Sequence, residues 1–195
     1  MKSVNFSSKV LSFLFVAFLP FMLSCESREV KEIKKMLNRR LDLDGAYLFF
    51  DSCMKYTERP GNNSIRIVTT VSYNYCYECM FKPLYALETI VSNDSILLDN
   101  ITILAFVDSI NIEEAQETLS KLKLKSVIAI DKEKEFSKKN NLDELLHRNR
   151  TFVIDKNDRI VFVGNPVITL NMQRPFRGLL VNLYQNNGTL KISEH

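Results

Sequence analysis

Cys76-Tyr77-Glu78-Cys79 sets two thiols three positions apart, just after the apolar run Ile65-Arg66-Ile67-Val68-Thr69-Thr70-Val71 and at the head of Met80 to Val91, which reads as a helix. On the first turn of a helix, residues three apart are neighbours at about the Cα separation a disulfide requires. The helix N-terminus also brings unpaired N–H groups and a positive dipole end to the first sulfur, which favours its thiolate. The chemistry this arrangement predicts is a dithiol that cycles between reduced and disulfide forms.

The neighbours of the pair bear on that chemistry. Glu78 lies between the two cysteines, where a carboxylate would oppose thiolate formation at Cys76 and could also accept its proton; as a solvent-facing side chain it would do neither. Tyr73, Tyr75 and Tyr77 interleave the segment and read as a partly exposed apolar rim around the sulfurs, or else as a core cluster without chemistry. Arg148 and Arg150 could steady a thiolate if they point inward, although their alternation fits one solvated edge. His147 reads as a surface residue in a charged loop, and Cys53 as a buried small apolar residue, with a third redox thiol as the lesser reading. No metal site and no cofactor is expected. With His147 and His195 the only imidazoles, a closed zinc site would need Cys53 or carboxylates to converge on the dithiol.

The elements that must position the pair alternate regularly. Ala46 to Phe50 reads as a short strand and 51–64, with Pro60-Gly61-Asn62-Asn63, as a loop. Strand 65–71 leads into the dithiol and its helix; Ile101 to Val107 is a buried strand, Ile112 to Leu122 a helix, Ser126 to Ile130 a strand and Lys132 to Asn140 a short polar helix. Thr151 to Asp155 and Arg159 to Val163 flank Lys156-Asn157-Asp158 as a hairpin, and Gln173 to Asn186 closes the chain as a helix. Near-continuous apolar strands between helices predict a mixed sheet covered on both faces.

Length and charge set the outer bounds. The 195 residues carry 26 basic and 23 acidic side chains, four cysteines and no tryptophan. Residues 1–24 read as an export signal: Lys2 and Lys9 precede an apolar stretch, Val10 to Leu23, too short to span a bilayer as a mature helix, with the small Ser24 at the break. Without Lys2 and Lys9 the basic count falls to 24, so the remaining chain is near neutral and gives no reason to expect a nucleic-acid partner. Residues 25–45 read as a polar tether and an amphipathic helix, with Val30, Ile33, Met36, Leu37 and Leu41 at helical spacing and Asp44-Gly45 ending it. Residues 46–195 form one domain.

Two resemblances sharpen these readings. Met22-Leu23-Ser24-Cys25 resembles the lipobox of bacterial lipoproteins, which implies cleavage before Cys25, acylation of its sulfur and attachment to a cell-envelope membrane facing the periplasm. Strand, Cys-x-x-Cys, helix, strand, helix, hairpin and helix is the layout of a thioredoxin-like α/β domain. Within it, Val127-Ile128-Ala129-Ile130-Asp131 with the helix after it looks like the insertion of the TlpA/ResA-like thiol–disulfide oxidoreductases. Thr151-Phe152-Val153-Ile154-Asp155-Lys156-Asn157-Asp158-Arg159-Ile160 is similar to that family's T-F-x-I-D-x-x-G-x-I hairpin, with Gly164 falling where the family commonly has a glycine. The resemblance covers about residues 46–186. It implies exchange with dithiols and disulfides of partner proteins, Cys76 as the attacking thiolate and Cys79 as the resolving thiol.

Three departures qualify the match. Asn149 stands where the family has a cis-proline that borders the substrate groove, so Asn149, with Tyr75 and Tyr77, is the candidate partner-binding set, and a trans backbone is expected there. Glu78 takes the place of the proline that often precedes the second cysteine, while Pro83 looks like the family's kinking proline shifted by one position. Strand 65–71 holds no acid beneath the dithiol. The leading reading is a cell-envelope oxidoreductase that reduces partner disulfides. The alternatives are a non-catalytic thioredoxin-fold lipoprotein that binds a protein or peptide, and metal handling by the two cysteines. A peroxidase fits less well, because Tyr73 stands where peroxiredoxins place Thr or Ser.

Overall fold

The computed structural model of the protein describes residues 26–45, 47–51, 65–71, 76–93, 97, 100–108, 111, 121–131 and 133–191. Among these the elements are α1 (Arg28–Met36), β1 (Leu48–Phe50), β2 (Ile65–Val71), α2 (Tyr77–Ser92), β3 (Ile101–Asp108), β4 (Val127–Asp131), α3 (Glu135–Lys139), β5 (Thr151–Ile154), β6 (Ile160–Val163) and α4 (Gln173–Gln185), with 3-10 turns at His147–Asn149 and Leu170–Met172. The expected strands, hairpin and closing helix are present within a residue or two of their expected ends. Most of the helix expected over 112–122 lies outside the described residues.

The strands form one mixed sheet in the order β1-β4-β3-β2-β5-β6. β2, β3 and β4 run parallel, with Val71 opposite Val107 and Val107 opposite Ile130. β1 joins β4 antiparallel, and the β5–β6 hairpin joins β2 through Thr69 opposite Thr151. The parallel strands are apolar on both sides because both sides are covered. On one face Ile65, Ile67, Ile103, Ala105, Ile128 and Val153 pack against Phe81, Leu84 and Leu87 of α2 and Phe176 and Leu180 of α4. On the other, Val68, Leu104, Phe106, Phe152 and Ile154 meet Met36, Leu41, Leu43 and Phe136. Phe106 stacks on Phe136, and Tyr47 meets Phe106 edge-on at a 5.0 Å centroid separation.

The N-terminal segment departs from expectation. α1 ends at Met36, well before Asp44-Gly45, because the next backbone groups bond to the sheet edge. Leu37 turns extended and Asn38 takes a left-handed φ of 64°. Asn38 N and Leu41 N then donate to the carbonyls of Ile160 and Asp158, while Ile160 N donates to that of Arg39. Leu41 and Leu43 enter the core from this extended run rather than from a helix, which covers the otherwise open edge of β6. Val30, expected on the apolar stripe, is 40% exposed.

The hairpin turn is tied down by charge. Asp158, at the glycine position of the hairpin motif, adopts φ 63°, a conformation Asp tolerates better than most residues. Its Oδ1 lies 2.7 Å from Nη2 of Arg66, whose side chain is buried near the start of β2, and the same guanidinium donates to the Asp155 carbonyl. Asp155 Oδ1 accepts from the backbone N–H groups of Asn157 and Arg159 and closes the turn. Asp158→Ala strands a buried cation, and the expected cost is about 3 kcal/mol of stability, read as a lower urea midpoint at unchanged slope.

Candidate redox site

β2 delivers the chain to the edge of the sheet, and α2 begins there at Tyr77 with Cys76 as its N-cap, in extended backbone at φ −138° and ψ 105°. Cys76 Sγ takes the place of a capping oxygen and accepts the Cys79 N–H at 3.3 Å. The helix starts earlier than the apolar pattern from Met80 suggested, so both cysteines belong to its first turn. Below them α2 is anchored by Phe81, Leu84 and Leu87, all 2% exposed or less. It is anchored again by Glu88, whose carboxylate accepts from the backbone N–H groups of Lys125 and Ser126 and from the Ser126 hydroxyl. Pro83, within the helix, cannot donate to the Cys79 carbonyl, which loosens this first turn relative to the rest.

Both thiols are free and exposed, and Sγ of Cys76 stands 2.8 Å from Sγ of Cys79. That is longer than a disulfide bond of about 2.05 Å, and the two free thiols are in direct contact. The two thiols therefore part in acidity. The hydrogen bond with the Cys79 thiol, then that from the Cys79 N–H, holds the Cys76 thiol below the ordinary range against desolvation and, after it, the charge of Glu78. The same hydrogen bond, with burial and the charges on Cys76 and Glu78, pushes the Cys79 thiol up, and Lys82 only partly offsets this. The pair thus contains one thiol of lowered and one of raised pKa three residues apart, an asymmetry suited to disulfide exchange.

The loop facing the dithiol is built from residues 146–150 and 164–165. Thr70 N donates to the Arg150 carbonyl, Asn165 N to that of Arg148 and Gly164 N to that of Thr151, so the loop lies across the C-terminal end of β2. All of its peptide bonds are trans. Asn149 is 1% exposed and its Nδ2 donates to Glu32 Oε2 at 2.9 Å. Expected at a partner's backbone, this side chain instead anchors the loop to α1. Glu32 Oε2 also accepts from Leu146 N, and Oε1 from Arg28 Nε. Arg148 is paired with Glu29 and Arg150 donates to the carbonyls of Leu145 and Asp143, so both arginines are engaged away from the sulfurs.

Glu78 is exposed beside the sulfurs, as its position between them implies. Tyr77 opens α2. Tyr73, Tyr75, Cys53 and Cys25 lie outside the described residues. Sequence reasoning missed two contributors. Glu32 stood among the polar residues of an amphipathic helix with nothing to mark it as an anchor. His147, read as a surface residue, is exposed, but it also lines a cavity of about 140 Å³ that Cys79 and Thr70 share. Its place two residues before Asn149 was the available signal. Among the described residues no group of three or more His, Cys, Asp or Glu side chains could hold a metal ion, and no helix is long and apolar enough to cross a membrane.

No protein-family model and no curated protein sequence matches the chain. Solved structures do. A thioredoxin-like protein from Porphyromonas gingivalis is 14% identical with a TM-score of 0.52, over 81% of this chain and 97% of that one. A protein from Bacteroides thetaiotaomicron, named as a candidate protein disulfide isomerase, is 9% identical with a TM-score of 0.53, over 78% and 95%. Peroxiredoxin Q of Xanthomonas campestris is 9% identical with a TM-score of 0.51, over 70% and 90%. The fold is therefore an α/β thioredoxin-like one, and the dithiol stands at the end of β2 within it.

Two measurements follow. Alkylation of Cys76 as a function of pH is expected to show a midpoint below that of a free thiol. Glu78→Gln moves it lower by removing the opposing charge, and Cys79→Ala moves it higher by removing the side-chain hydrogen bond. Burial raises the carboxyl of Glu32, but bonds from Leu146 N, Asn149 and Arg28 outweigh this and hold it below the ordinary range. A depressed carboxyl stabilises the fold fully above its ordinary value and loses that contribution as pH falls through the lowered one. Glu32→Ala leaves Leu146 N and Asn149 Nδ2 without their acceptor and is expected to cost about 1–3 kcal/mol, measured by urea unfolding at neutral pH.

Proposed function

We propose that this protein is a cell-envelope thiol–disulfide oxidoreductase of the TlpA/ResA-like kind, held at a membrane by a lipid on Cys25, that reduces disulfides in partner proteins. The observation that carries the exchange chemistry is the contact between Cys76 and Cys79: two exposed sulfurs 2.8 Å apart at a helix N-terminus, with the Cys79 N–H donating to the Cys76 sulfur. The Cys76 thiolate attacks a partner disulfide, one partner sulfur leaves as a thiol, and a mixed disulfide forms. Cys79 then displaces the second partner sulfur and closes the Cys76–Cys79 bond. The partner gains two electrons and the dithiol loses them.

The direction rests on Glu78. A strongly oxidising dithiol has a reduced form stabilised by cations and dipoles around its thiolate. Here the nearest fixed charge is a carboxylate that opposes the thiolate, which favours giving electrons away. The envelope assignment rests on the basic, apolar and small-residue order of residues 1–24 and on Cys25 behind Ser24. The family assignment rests on the hairpin motif and on β4 with its helix. In that segment Asp131 accepts the N–H groups of Glu135 and Phe136 and so starts α3 in place of the uncapped Lys134.

Trapping tests the proposal. Cys79→Ser in its own envelope is expected to accumulate mixed disulfides that a reductant releases, and Cys76→Ser to accumulate none. The dithiol potential, equilibrated against glutathione or dithiothreitol, is expected above about −300 mV. A far lower value together with no trapped partner would mark a structural bridge instead.

A further inference from the structure

We propose that His147 accepts the proton of Cys79 during resolution, through water held in the cavity behind the dithiol. The inference rests on the exchange chemistry proposed above and names a base for its second step. Cys79 has to lose its proton before it can attack, and with a partner joined to Cys76 the outer side of the pair is occupied. The inner side opens on the cavity of about 140 Å³, whose wall contains Cys79, Thr70, Asn165 and His147 between the buried Leu84 and Leu87.

The cavity has both room and reason to hold water. One water needs only about 10–15 Å³ of such space together with polar partners. The Thr70 hydroxyl is buried without a hydrogen-bond partner, a condition that costs about 1–3 kcal/mol unless water meets it. The other polar groups in the wall are already used or are poor bases. Thr69 Oγ1 is bonded to Thr151 Oγ1, and Asn165 Oδ1 accepts from Val167 N. No described carboxylate lines the cavity. Among the surrounding charges, Glu78 and Lys82 act on Cys79 from the exposed turn of α2, Arg148 and Arg150 are engaged with Glu29 and with carbonyls, and Glu32 is engaged by the loop. That leaves the imidazole, a side chain suited to general acid–base work, as the base in the cavity wall.

The step balances. The Cys79 thiol gives its proton to water, and water gives one to neutral His147, which becomes imidazolium. The Cys79 thiolate attacks Cys76 Sγ, the bond from Cys76 to the partner sulfur breaks, the Cys76–Cys79 bond forms, and the partner leaves as a thiolate that takes a proton from solvent or from the imidazolium. His147 is held at a fixed place for this by the bonds of Leu146 N and Asn149 to Glu32 on one side of the loop and of Asn165 N to the Arg148 carbonyl on the other.

Stopped-flow reaction of the reduced full-length protein with dithiobis(nitrobenzoate) separates the two steps. The first thionitrobenzoate released reports attack by Cys76, the second closure by Cys79. His147→Gln is expected to slow the second release about tenfold or more near pH 7 and leave the first within about twofold. Thr70→Val, which keeps the shape and removes the hydroxyl, should slow the same phase alone. Second phases unchanged in both variants, or both phases slowed alike, overturn the role of His147. Absence of the first phase in the wild type instead defeats the exchange reading itself, and this proposal with it.

Discussion

One contact organises the site. The sulfurs of Cys76 and Cys79 lie 2.8 Å apart, and the Cys79 N–H donates to the Cys76 sulfur. Both contacts exist only because α2 begins at Tyr77, which puts the first cysteine at the cap and the second on the first turn. The deeper parts of the structure hold that start in place: parallel pairing of β2 with β3 fixes where the strand ends, the Phe81, Leu84 and Leu87 side chains fix the rotation of the helix, and Glu88 fixes its far half against the beginning of β4.

The facing loop is held by a different device. A proline at position 149 would restrict this backbone by its ring. With Asn149 there, the restraint comes from outside the loop, from a single carboxylate on α1 that accepts from Leu146 N and Asn149 Nδ2. Arg28 and the Arg148–Glu29 pair add two further ties between the same helix and the same loop. The N-terminal helix therefore belongs to the architecture of the site. Its short length follows, because the residues after Met36 are needed along the edge of β6 and cannot continue a helix.

The fold was largely legible because its strands are short apolar runs of unambiguous length and the hairpin turn carries Lys156-Asn157-Asp158 between them. The dithiol was legible for the same reason: spacing of two residue types at a strand-to-helix junction is a local signal. What escaped was non-local. Arg66, in an apolar run, reads as a break in a buried pattern until Asp158 arrives from the hairpin to neutralise it. Leu41 and Leu43 fit a helical stripe with Ile33 and Met36, yet edge pairing with Ile160 and Asp158 prevailed over local propensity. Asn149 looked like a groove residue by analogy of position. Its burial depends on a carboxylate 117 residues away in sequence, which no local pattern can announce.

The charge around the sulfurs links the geometry to the proposed direction of electron flow. Thiolate stabilisation at Cys76 comes from dipoles, a thiol and an N–H, while the fixed ionic charge on the same turn is negative and the two nearby arginines are turned elsewhere. Dipoles of this kind act over a few ångströms and are lost when Cys79 changes partner, so they distinguish the two thiols. In the proposed reading such a dithiol keeps a nucleophilic sulfur available and still yields its electrons. In a cation-stabilised pair those two properties oppose each other, since the charge that forms the thiolate also holds the reduced form. Glu78 between the cysteines, with Arg148 and Arg150 engaged elsewhere, is the charge arrangement on which the proposed reducing direction rests.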